Sequence, residues 1–270
     1  MTTDLKFGPS GREWHYSPSS KTFDISNGAA KKLTIPTTEG PAETSFTIDP
    51  AKSALVVVDM QNFFLDEKCM KHPNGLKAVE PTINVVEKCR EVGIQVIWLN
   101  WGLTETDLLT LPAGVHRGFM KDIIHNTTKE IRPYTGLGSD LGSGKGRCLF
   151  AGTWNADIYP PLKALVKPED IQCAKNRMSG IWSEEQPLFK ALRERGIETC
   201  FFTGVNTDQC VGGTLVDAYN KGWNCVLVDD CCGTTTVGGK EVFFHNIAVS
   251  IFLSFCLSFF TSLLFLPSSS

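Results

Sequence analysis

Apolar side chains follow two different periods in the middle of the chain. Residues 54–58 form a continuous run rich in β-branched side chains, which is typical of a strand buried on both faces. Residues 79–92 repeat apolar side chains at helical spacing and end before Gly93, a residue that commonly follows the end of a helix. Residues 94–99 are again strand-like. This part of the chain therefore predicts a strand, a helix and a second strand in succession.

The same alternation resumes after residue 150. It predicts, in order, a short helix at 159–166, a strand at 171–174, a helix at 184–195, a strand at 199–205, a helix at 210–221 and a strand at 224–228. Strands that alternate with helices form a mostly parallel sheet that is covered on both faces. We therefore predict a three-layer α/β/α sandwich with a mostly parallel central sheet. Ligands of such folds bind at the carboxyl ends of the strands.

Two other parts of the chain depart from this alternation. Residues 1–50 are polar and rich in Gly, Pro, Ser and Thr, and they are predicted to form an extended arm with little regular structure. Residues 51–248 form the predicted α/β domain, which an insertion interrupts at about 102–150. Insertions of this length often cover a binding site. The glycine run at 142–146 lacks the Lys-Ser/Thr ending of a phosphate-binding loop, so we assign it to the insertion.

Residues 249–270 form an atypical apolar tail. The stretch 247–266 carries no charge and is about long enough to span a bilayer, but it contains several Ser, and no Lys or Arg follows it. Three interpretations stay open: translated intron sequence, a membrane tail anchor, or a core element of the domain. The first is considered because Val249-Ser250 can be encoded by a splice-donor sequence. Membrane contact is expected only if the stretch is a genuine anchor.

Composition narrows the expected partners and location. The net charge is -3 and no basic stripe is present, so nucleic acid is not an expected partner. Several of the 10 Cys, such as Cys89 and Cys200, lie inside apolar runs, where a free thiol behaves as a small hydrophobic side chain. The adjacent Cys231 and Cys232 lack the usual spacing of zinc ligands. The chain opens on polar sequence, and we expect a reducing, cytoplasmic location.

Three chemically useful side chains each follow a predicted strand: Asp59, Lys175 and Cys210. Taken singly, each has a simple structural interpretation: Asp59 as a helix cap, Lys175 as a solvated charge and Cys210 as an inert buried thiol. Taken together at neighbouring strand ends, they form a complete set for acyl transfer. A helix N-terminus and a nearby ammonium are expected to lower the pKa of Cys210, and a carboxylate can carry the thiol proton to a leaving amine. The turn at 204–209 offers backbone N–H groups for an oxyanion.

Three separated motifs at these residues resemble those of the isochorismatase-like cysteine hydrolases. Residues 56–62 read VVVDMQN, similar to the opening motif of that family. Residues 175–180 read KNRMSG, similar to its Lys-x-Arg-x-Ser-Gly/Ala segment, and residues 204–211 read GVNTDQCV, similar to its nucleophile turn. The resemblance runs in the family order from about residue 53 to residue 236. It implies the isochorismatase-like hydrolase fold.

The resemblance also implies a role for each residue of the set. Asp59 would be the general base and acid, Lys175 its charge partner and Cys210 the nucleophile. A cis peptide bond would precede Asn206, and the backbone N–H groups of Asn206 and Cys210 would form the oxyanion hole. Attack on an amide carbon would give a thioester that water resolves. Homo-oligomers are common in the family, so a homo-oligomer is expected by analogy.

Within that family, the ureidoacrylate amidohydrolase group fits best. Residues 98–102 loosely resemble a Trp-x-x-Asn-Gly-Trp segment of that group, and residues 152–154 resemble its Gly-Ser/Thr-Trp motif. The chain departs at Gly212 and Gly213, where that group usually has Glu-Ser. The resemblance predicts hydrolysis of an amide or ureido C–N bond. The alternative is an isochorismatase-type enol-ether hydrolase that releases pyruvate, which the presence of Cys210 disfavours. A non-catalytic binding protein on the same fold is a further alternative.

No metal or other cofactor is predicted. Nicotinamidases of the family bind a metal through an Asp-x-His pattern after the second strand, and that pattern is absent here. His116 and His125 lie within the insertion and are interpreted as surface residues.

Four residues are candidates for binding a small-molecule substrate. Asn100 offers a donor and an acceptor, and the indoles of Trp101 and Trp154 can cover a flat ureido or amide group. Each Trp can equally pack in the core. Arg177 can bind a substrate carboxylate or pair with a surface acid. Asp208 can cap the helix that follows it.

Overall fold

The first segment of the chain folds into a small sheet. The computed structural model describes residues 3–37, 45–120, 136–246 and 254–255. Five strands pair in the order β1-β2-β3-β5-β4. They are β1 (Leu5–Phe7), β2 (Trp14–Ser17), β3 (Thr22–Asp24), β4 (Leu33–Pro36) and β5 (Ser45–Ile48).

The predicted extended arm at 1–50 is therefore wrong for the described part of that segment. Ile35 on β4 and Phe46 and Ile48 on β5 are buried, so the small sheet has an apolar side of its own. Its strands are only 3 or 4 residues long. Runs of that length are too short for alternating polar and apolar positions to stand out among turn-forming residues.

A second sheet, of six parallel strands, forms the centre of the fold. Its spatial order is β11-β10-β9-β6-β7-β8, and every ladder between neighbours is parallel. The strands are β6 (Ser53–Val58), β7 (Gln95–Trp101), β8 (Ile171–Lys175), β9 (Thr199–Val205), β10 (Asn224–Gly233) and β11 (Ser254–Phe255). All residues of β6 and β9 are buried, which explains why both strands are mostly apolar. The polar exceptions are Ser53, Thr199 and Thr203.

Helices flank the central sheet. They are α1 (Asn62–Leu65), α2 (Pro73–Lys77), α3 (Val79–Val92), α4 (Glu105–Thr110), α5 (Ala113–Gly118), α6 (Pro160–Lys163), α7 (Pro187–Glu194), α8 (Gly212–Asn220) and α9 (Gly239–Asn246). Helix α3 has its predicted bounds and is capped by Gly93 at φ +91°, a left-handed conformation that glycine adopts without strain. The helix predicted at 210–221 begins earlier, as a π-helical turn at Thr207–Val211. The predicted α/β/α architecture with a parallel central sheet is confirmed.

The small sheet lies near the amino ends of the central strands. The ring centres of Phe46 and Phe201 are 6.3 Å apart, and Phe201 belongs to the first half of β9. The Trp14 indole N–H donates to Oδ1 of Asn224, the first residue of β10, at 3.2 Å. These contacts leave the carboxyl ends of the central strands to the functional residues.

Cysteine side chains contribute to the core of the central sheet. All described Cys are free, and all but Cys69 are buried. Cys200 on β9 and Cys225 on β10 are directly paired in the ladder, and burial raises the pKa of both thiols. The prediction that Cys residues in apolar runs act as small hydrophobic side chains is confirmed for these positions.

The predicted insertion at about 102–150 contains α4 and α5. Helix α4 begins at a capping box in which Thr104 and Asp107 bind each other's backbone N–H groups. Leu103 and Phe150 form a β-bridge, so the two ends of the insertion meet. Residues 121–135, including His125, lie outside the described residues, and the covering role of the insertion stays a prediction.

The apolar tail at 249–270 also lies outside the described residues, apart from 254–255 in β11. The three interpretations of that tail therefore stay open. Across the described ranges, no helix combines the length and the apolar character that crossing a bilayer requires.

Candidate active site

The carboxyl ends of the central strands bring the predicted residues together. Asp59 directly follows β6, Trp101 ends β7 and Lys175 ends β8. Trp101 and Lys175 are directly paired in the parallel ladder, so their side chains emerge on the same side of the sheet. Cys210 reaches this edge from the π-helical turn that follows β9.

Asp59 and Lys175 form a buried ion pair. Lys175 Nζ lies 2.9 Å from Asp59 Oδ2, and both side chains are 0% exposed. The ammonium also donates to the Arg177 backbone carbonyl at 3.2 Å and lies 4.0 Å from the centre of the Trp101 ring. Desolvation offsets most of the attraction within such a pair, so its presence indicates a chemical role more than a stabilising one.

The surroundings of Asp59 raise the pKa of its carboxyl group. Asp59 has φ +52°, a left-handed conformation that Asp tolerates better than most residues. Its Oδ1 accepts the Trp101 backbone N–H at 3.2 Å. Burial raises the pKa of Asp59, while Lys175 and a hydrogen bond from Cys210 act against that rise. The carboxylate therefore binds a proton more readily than an exposed Asp does.

Cys210 lies beside this ion pair as a protonated thiol. Its side chain is buried, and burial raises its pKa to about 12. Lys175 and a hydrogen bond with the Trp101 indole lower the pKa of Cys210, whereas the hydrogen bond to Asp59 raises it and favours the protonated sulfur. The expected lowering of the Cys210 pKa is therefore wrong, because desolvation outweighs the nearby ammonium. Asp59 is the carboxylate that contacts this thiol.

The turn that carries Cys210 depends on a glycine. The peptide bond between Val205 and Asn206 is cis, as the family resemblance implies. Just before it, Gly204 has φ +113°, and a Cβ there would lie 2.0 Å from the Val58 carbonyl oxygen. Only glycine fits, since any side chain would collide with β6 backbone. The turn is thereby held against the end of β6, next to Asp59.

Two donors fix the side chain of Asn206. Its Oδ1 accepts from His72 Nε2 at 2.8 Å and from the Thr235 backbone N–H at 3.0 Å. His72 is only 1% exposed, yet the sequence interpretation missed it. It lies in a short polar segment between two helices, where neither apolar periodicity nor a motif singles it out.

Gln61 is a second buried polar residue that the sequence interpretation missed. Its Nε2 donates to the backbone carbonyls of Trp101 at 2.7 Å and Ala156 at 2.6 Å. Its Oε1 accepts the Trp101 backbone N–H at 3.1 Å. One amide thus holds the backbone of the residue whose ring contacts Lys175. The available signal was an amide three positions beyond a buried strand, because such a group has to find partners in the interior.

The other predicted binding residues take different positions. Asn100 and Trp101 are neighbours in β7, so their side chains emerge on opposite faces of the sheet. Lys68 Nζ lies 5.3 Å from the centre of the Trp154 ring. The Arg177 guanidinium donates to two backbone carbonyls and lies over an indole ring. The structure brings the Trp101 ring to the ion pair, and the binding roles of Asn100, Trp154 and Arg177 stay predictions.

Two further polar residues were singled out by sequence. Asp208 accepts a hydrogen bond from the Thr234 hydroxyl at 2.5 Å, and its side chain caps neither the π-helical turn nor α8. His116 lies half-buried in α5. Within the part of the chain that the structure describes, no three His, Cys, Asp or Glu side chains are grouped so that they could hold a metal ion.

Solved structures share this fold at low sequence identity. An isochorismatase family protein from Desulfovibrio vulgaris subsp. vulgaris str. Hildenborough matches with a TM-score of 0.61 and 20% identity, over 78% of this chain and 97% of that chain. N-carbamoylsarcosine amidase from Thermoplasma acidophilum matches with a TM-score of 0.54 and 21% identity, over 76% and 95% of the two chains. Nicotinamidase from Bacillus subtilis matches with a TM-score of 0.54 and 22% identity, over 76% and 99%.

A family model extends this likeness to the sequence. The model of the isochorismatase domain matches residues 53–255, which is most of the chain. The matched stretch contains Asp59, Lys175 and Cys210, the residues that meet at the carboxyl edge of the central sheet. The chain therefore belongs to the isochorismatase family.

Proposed function

We propose that this protein hydrolyses an amide or ureido C–N bond of a small molecule, with Cys210 as the nucleophile. The observation that carries the proposal is the position of the Cys210 thiol beside the fully buried Asp59–Lys175 ion pair. A protonated thiol, a base of raised pKa and a fixed positive charge together form a set for covalent acyl transfer.

In the first step, Asp59 takes the thiol proton while the sulfur attacks the carbonyl carbon. A carbon–sulfur bond forms, and an electron pair of the carbonyl moves onto oxygen. The Lys175 ammonium, 2.9 Å from Asp59 Oδ2, favours the ionised carboxylate until attack begins. Burial raises the pKa of Asp59, which makes the carboxylate a better acceptor for a proton that thiols hold tightly.

The negative charge on the substrate oxygen needs donors, and the backbone N–H groups of Asn206 and Cys210 are our candidates. Both groups belong to the turn that carries the Cys210 thiol, so both lie near a carbonyl group that the sulfur attacks. Collapse of the tetrahedral intermediate breaks the C–N bond, and Asp59 returns its proton to the leaving nitrogen. Water, activated by the same carboxylate, then hydrolyses the thioester on Cys210.

For the substrate, we propose a flat ureido or amide compound of the kind used by the ureidoacrylate amidohydrolase group. The Trp-containing segments at 98–102 and 152–154 support this choice through their resemblance to that group. A carbamoyl compound also appears in the name of one structural neighbour, N-carbamoylsarcosine amidase. Asn100 and Trp154 are candidates for contacting the ureido group, and Arg177 for a substrate carboxylate.

The test compares product release from a panel of substrates by the full chain and by Cys210→Ala. Ammonia is measured with ureidoacrylate, biuret, nicotinamide and simple aliphatic amides, and pyruvate is measured with isochorismate. Ammonia release that disappears in Cys210→Ala is the expected result, and it would identify the substrate class. Pyruvate release without any amide turnover would instead establish the enol-ether reaction. Amide turnover that persists in Cys210→Ala would contradict the assignment of the nucleophile.

A further inference from the structure

A buried histidine outside the Asp59–Lys175–Cys210 set contacts the turn that carries the nucleophile. His72 immediately precedes α2 and is 1% exposed. Its Nε2 lies 2.8 Å from Oδ1 of Asn206. Asn206 is the residue whose backbone N–H we assign to the oxyanion hole. A side chain that determines where Asn206 lies therefore also determines where this donor points.

The hydrogen bonds of His72 define which nitrogen carries its proton. The Gly75 backbone N–H donates to His72 Nδ1 at 2.8 Å, so Nδ1 acts as the acceptor. In the neutral ring the proton then lies on Nε2, which donates to Asn206 Oδ1. One nitrogen thus caps α2, while the other holds the nucleophile turn.

The segment that contains His72 has little room to move. A Cβ at Gly75 would lie 2.8 Å from His72 Nδ1, so the backbone of α2 packs directly on the imidazole. The Asn74 side chain donates to the Thr234 carbonyl at 3.1 Å. A Cβ at Gly233 would lie 2.6 Å from the Asn74 carbonyl oxygen, so the end of β10 also packs against this segment. His72 is a fixed donor because its own surroundings are close-packed.

We infer that His72 is a positioning residue, which keeps the Asn206 backbone N–H directed at the oxyanion. The inference rests on the proposed function, because it gives a role to a contact of the proposed oxyanion hole. His72 Nε2 and the Thr235 backbone N–H hold the Asn206 amide oxygen from two directions. The Asn206 side chain and N–H group are attached to the same Cα, so fixing the amide oxygen limits rotation of the donor.

Two substitutions separate the two hydrogen bonds of the imidazole. In His72→Asn, the amide oxygen takes the place of Nδ1 and can still accept the Gly75 N–H, but no donor reaches Asn206. In His72→Gln, the amide nitrogen takes the place of Nε2 and can donate to Asn206, but the acceptor for Gly75 is lost. Loss of a helix cap lowers stability, so His72→Gln is expected to melt at a lower temperature than His72→Asn.

The test compares two reactions of Cys210 in the full chain. With p-nitrophenyl acetate, the sulfur attacks the ester carbon, Asp59 takes the thiol proton, and p-nitrophenolate leaves with its bonding electron pair. This reaction forms an oxyanion and passes through an acetyl thioester, which water then hydrolyses. With iodoacetamide, the sulfur displaces iodide from a saturated carbon, and no oxyanion forms. Release of p-nitrophenolate above that of Cys210→Ala gives the acylation rate, and mass spectrometry of the Cys210 peptide gives the alkylation rate. The ratio of the two rates therefore reports the oxyanion hole separately from the reactivity of the thiol.

Of the two variants, we expect the one with the lower ratio of acylation to alkylation to have the higher melting temperature. His72→Asn lowers the ratio of acylation to alkylation about tenfold, which is less than the roughly 100- to 1,000-fold effect of removing an oxyanion donor outright. His72→Gln keeps the ratio within about threefold of the wild-type value although it melts at a lower temperature. A residue with a structural role alone would lower both quantities together.

Three results would overturn the inference. The first is an unchanged ratio in both variants. The second is a ratio that falls in both variants in the order of their melting temperatures. The third is a wild-type protein in which neither reagent modifies Cys210 above the background seen with Cys210→Ala. That third result would reject the proposed function itself, whereas the first two reject only the role of His72.

Discussion

Lys175 Nζ lies 2.9 Å from Asp59 Oδ2, although their strands β8 and β6 are not neighbours. Strand β7 runs between them and ends at Trp101, whose ring lies 4.0 Å from the same ammonium. The charge pair therefore bridges the end of an intervening strand, and an indole lies where water would otherwise solvate it. The ammonium favours the ionised form of a carboxylate whose pKa burial raises, which suits the base that we propose for the Cys210 thiol.

Replacing Lys175 with Met is expected to destabilise the fold and abolish activity. The substitution leaves the Asp59 carboxylate buried without a counter-charge, which costs about 3–5 kcal/mol. The double variant Lys175→Met/Asp59→Asn is expected to regain most of that stability but no activity, because Asn also tolerates the left-handed backbone at this position. Urea denaturation measures the free energies of unfolding. Equal stability of the single and double variants would show that Asp59 takes up a proton once Lys175 is removed.

Amide turnover is expected to fall on acidification at a pH above the range of an exposed Asp. Asp59 accepts a proton only in its ionised form, and burial raises its pKa above the usual value of about 4. The ratio kcat/KM should therefore decrease as the pH falls through that raised pKa. An exposed Cys thiol ionises near its usual pKa of about 8.5. Burial raises the pKa of Cys210 to about 12, so no increase in rate from thiol ionisation is expected in that region. A rate profile that rises there would indicate a preformed thiolate.

Stability is expected to fall at alkaline pH because of the buried thiols. A thiol whose pKa is raised by folding contributes stability that is complete below its unfolded pKa of about 8.5 and is lost as the pH rises toward its folded pKa. Burial raises the pKa of Cys200 in this direction. Cys200→Ala should be less stable than wild type at neutral pH but should show a shallower loss above about pH 9. Parallel slopes in urea denaturation would contradict this account.

Gly204→Ala is expected to prevent folding. The added Cβ would lie 2.0 Å from the Val58 carbonyl oxygen at a φ of +113°, and that oxygen belongs to backbone that cannot move away. Gly93→Ala is the matched control, since Gly93 has φ +91° but nothing lies within 4 Å of the added Cβ. The control should lose only about 1–2 kcal/mol, the usual penalty for a left-handed residue. Circular dichroism and thermal melting distinguish the two. A folded Gly204→Ala would mean that β6 and β9 can separate.

Phe46→Ala is expected to destabilise the whole fold by about 3–5 kcal/mol, the usual cost of truncating a buried Phe. Phe46 is 0% exposed and packs 6.3 Å from Phe201 of β9, so the small sheet shares its core with the central one. Phe7→Ala is the control in the same sheet, because Phe7 is 49% exposed and its truncation should cost much less. Similar melting temperatures for the two variants would mean that the small sheet is not coupled to the central one.

The central part of the fold could be predicted because its signals are local. A strand buried on both faces, such as β6, is apolar at nearly every position, and an α-helix such as α3 has to repeat its apolar side chains. Asp59 and Lys175 could be placed at one edge because the carboxyl ends of parallel strands meet there. These inferences need only the order of elements along the chain.

Contacts between distant segments could not be predicted in the same way. His72 and Asn206 are 134 positions apart, and nothing in the residues around His72 indicates its partner. The pKa of Cys210 was misjudged because helix position and a nearby ammonium can be inferred from sequence, while the desolvation that dominates depends on complete packing. The small sheet was missed because its pairing joins runs of 3 or 4 residues, which are too short to show a period.

The reactivity of the buried thiols of the central sheet can also report local opening of the protein. Cys200 and Cys225 lie side by side on β9 and β10 and are 0% exposed, so an alkylating reagent can reach them only when the packing over this part of the sheet opens. Their labelling rates consequently measure how often this part of the sheet opens, without any added dye or label. Equal rates at the two positions would mark β9 and β10 as one cooperative unit of unfolding.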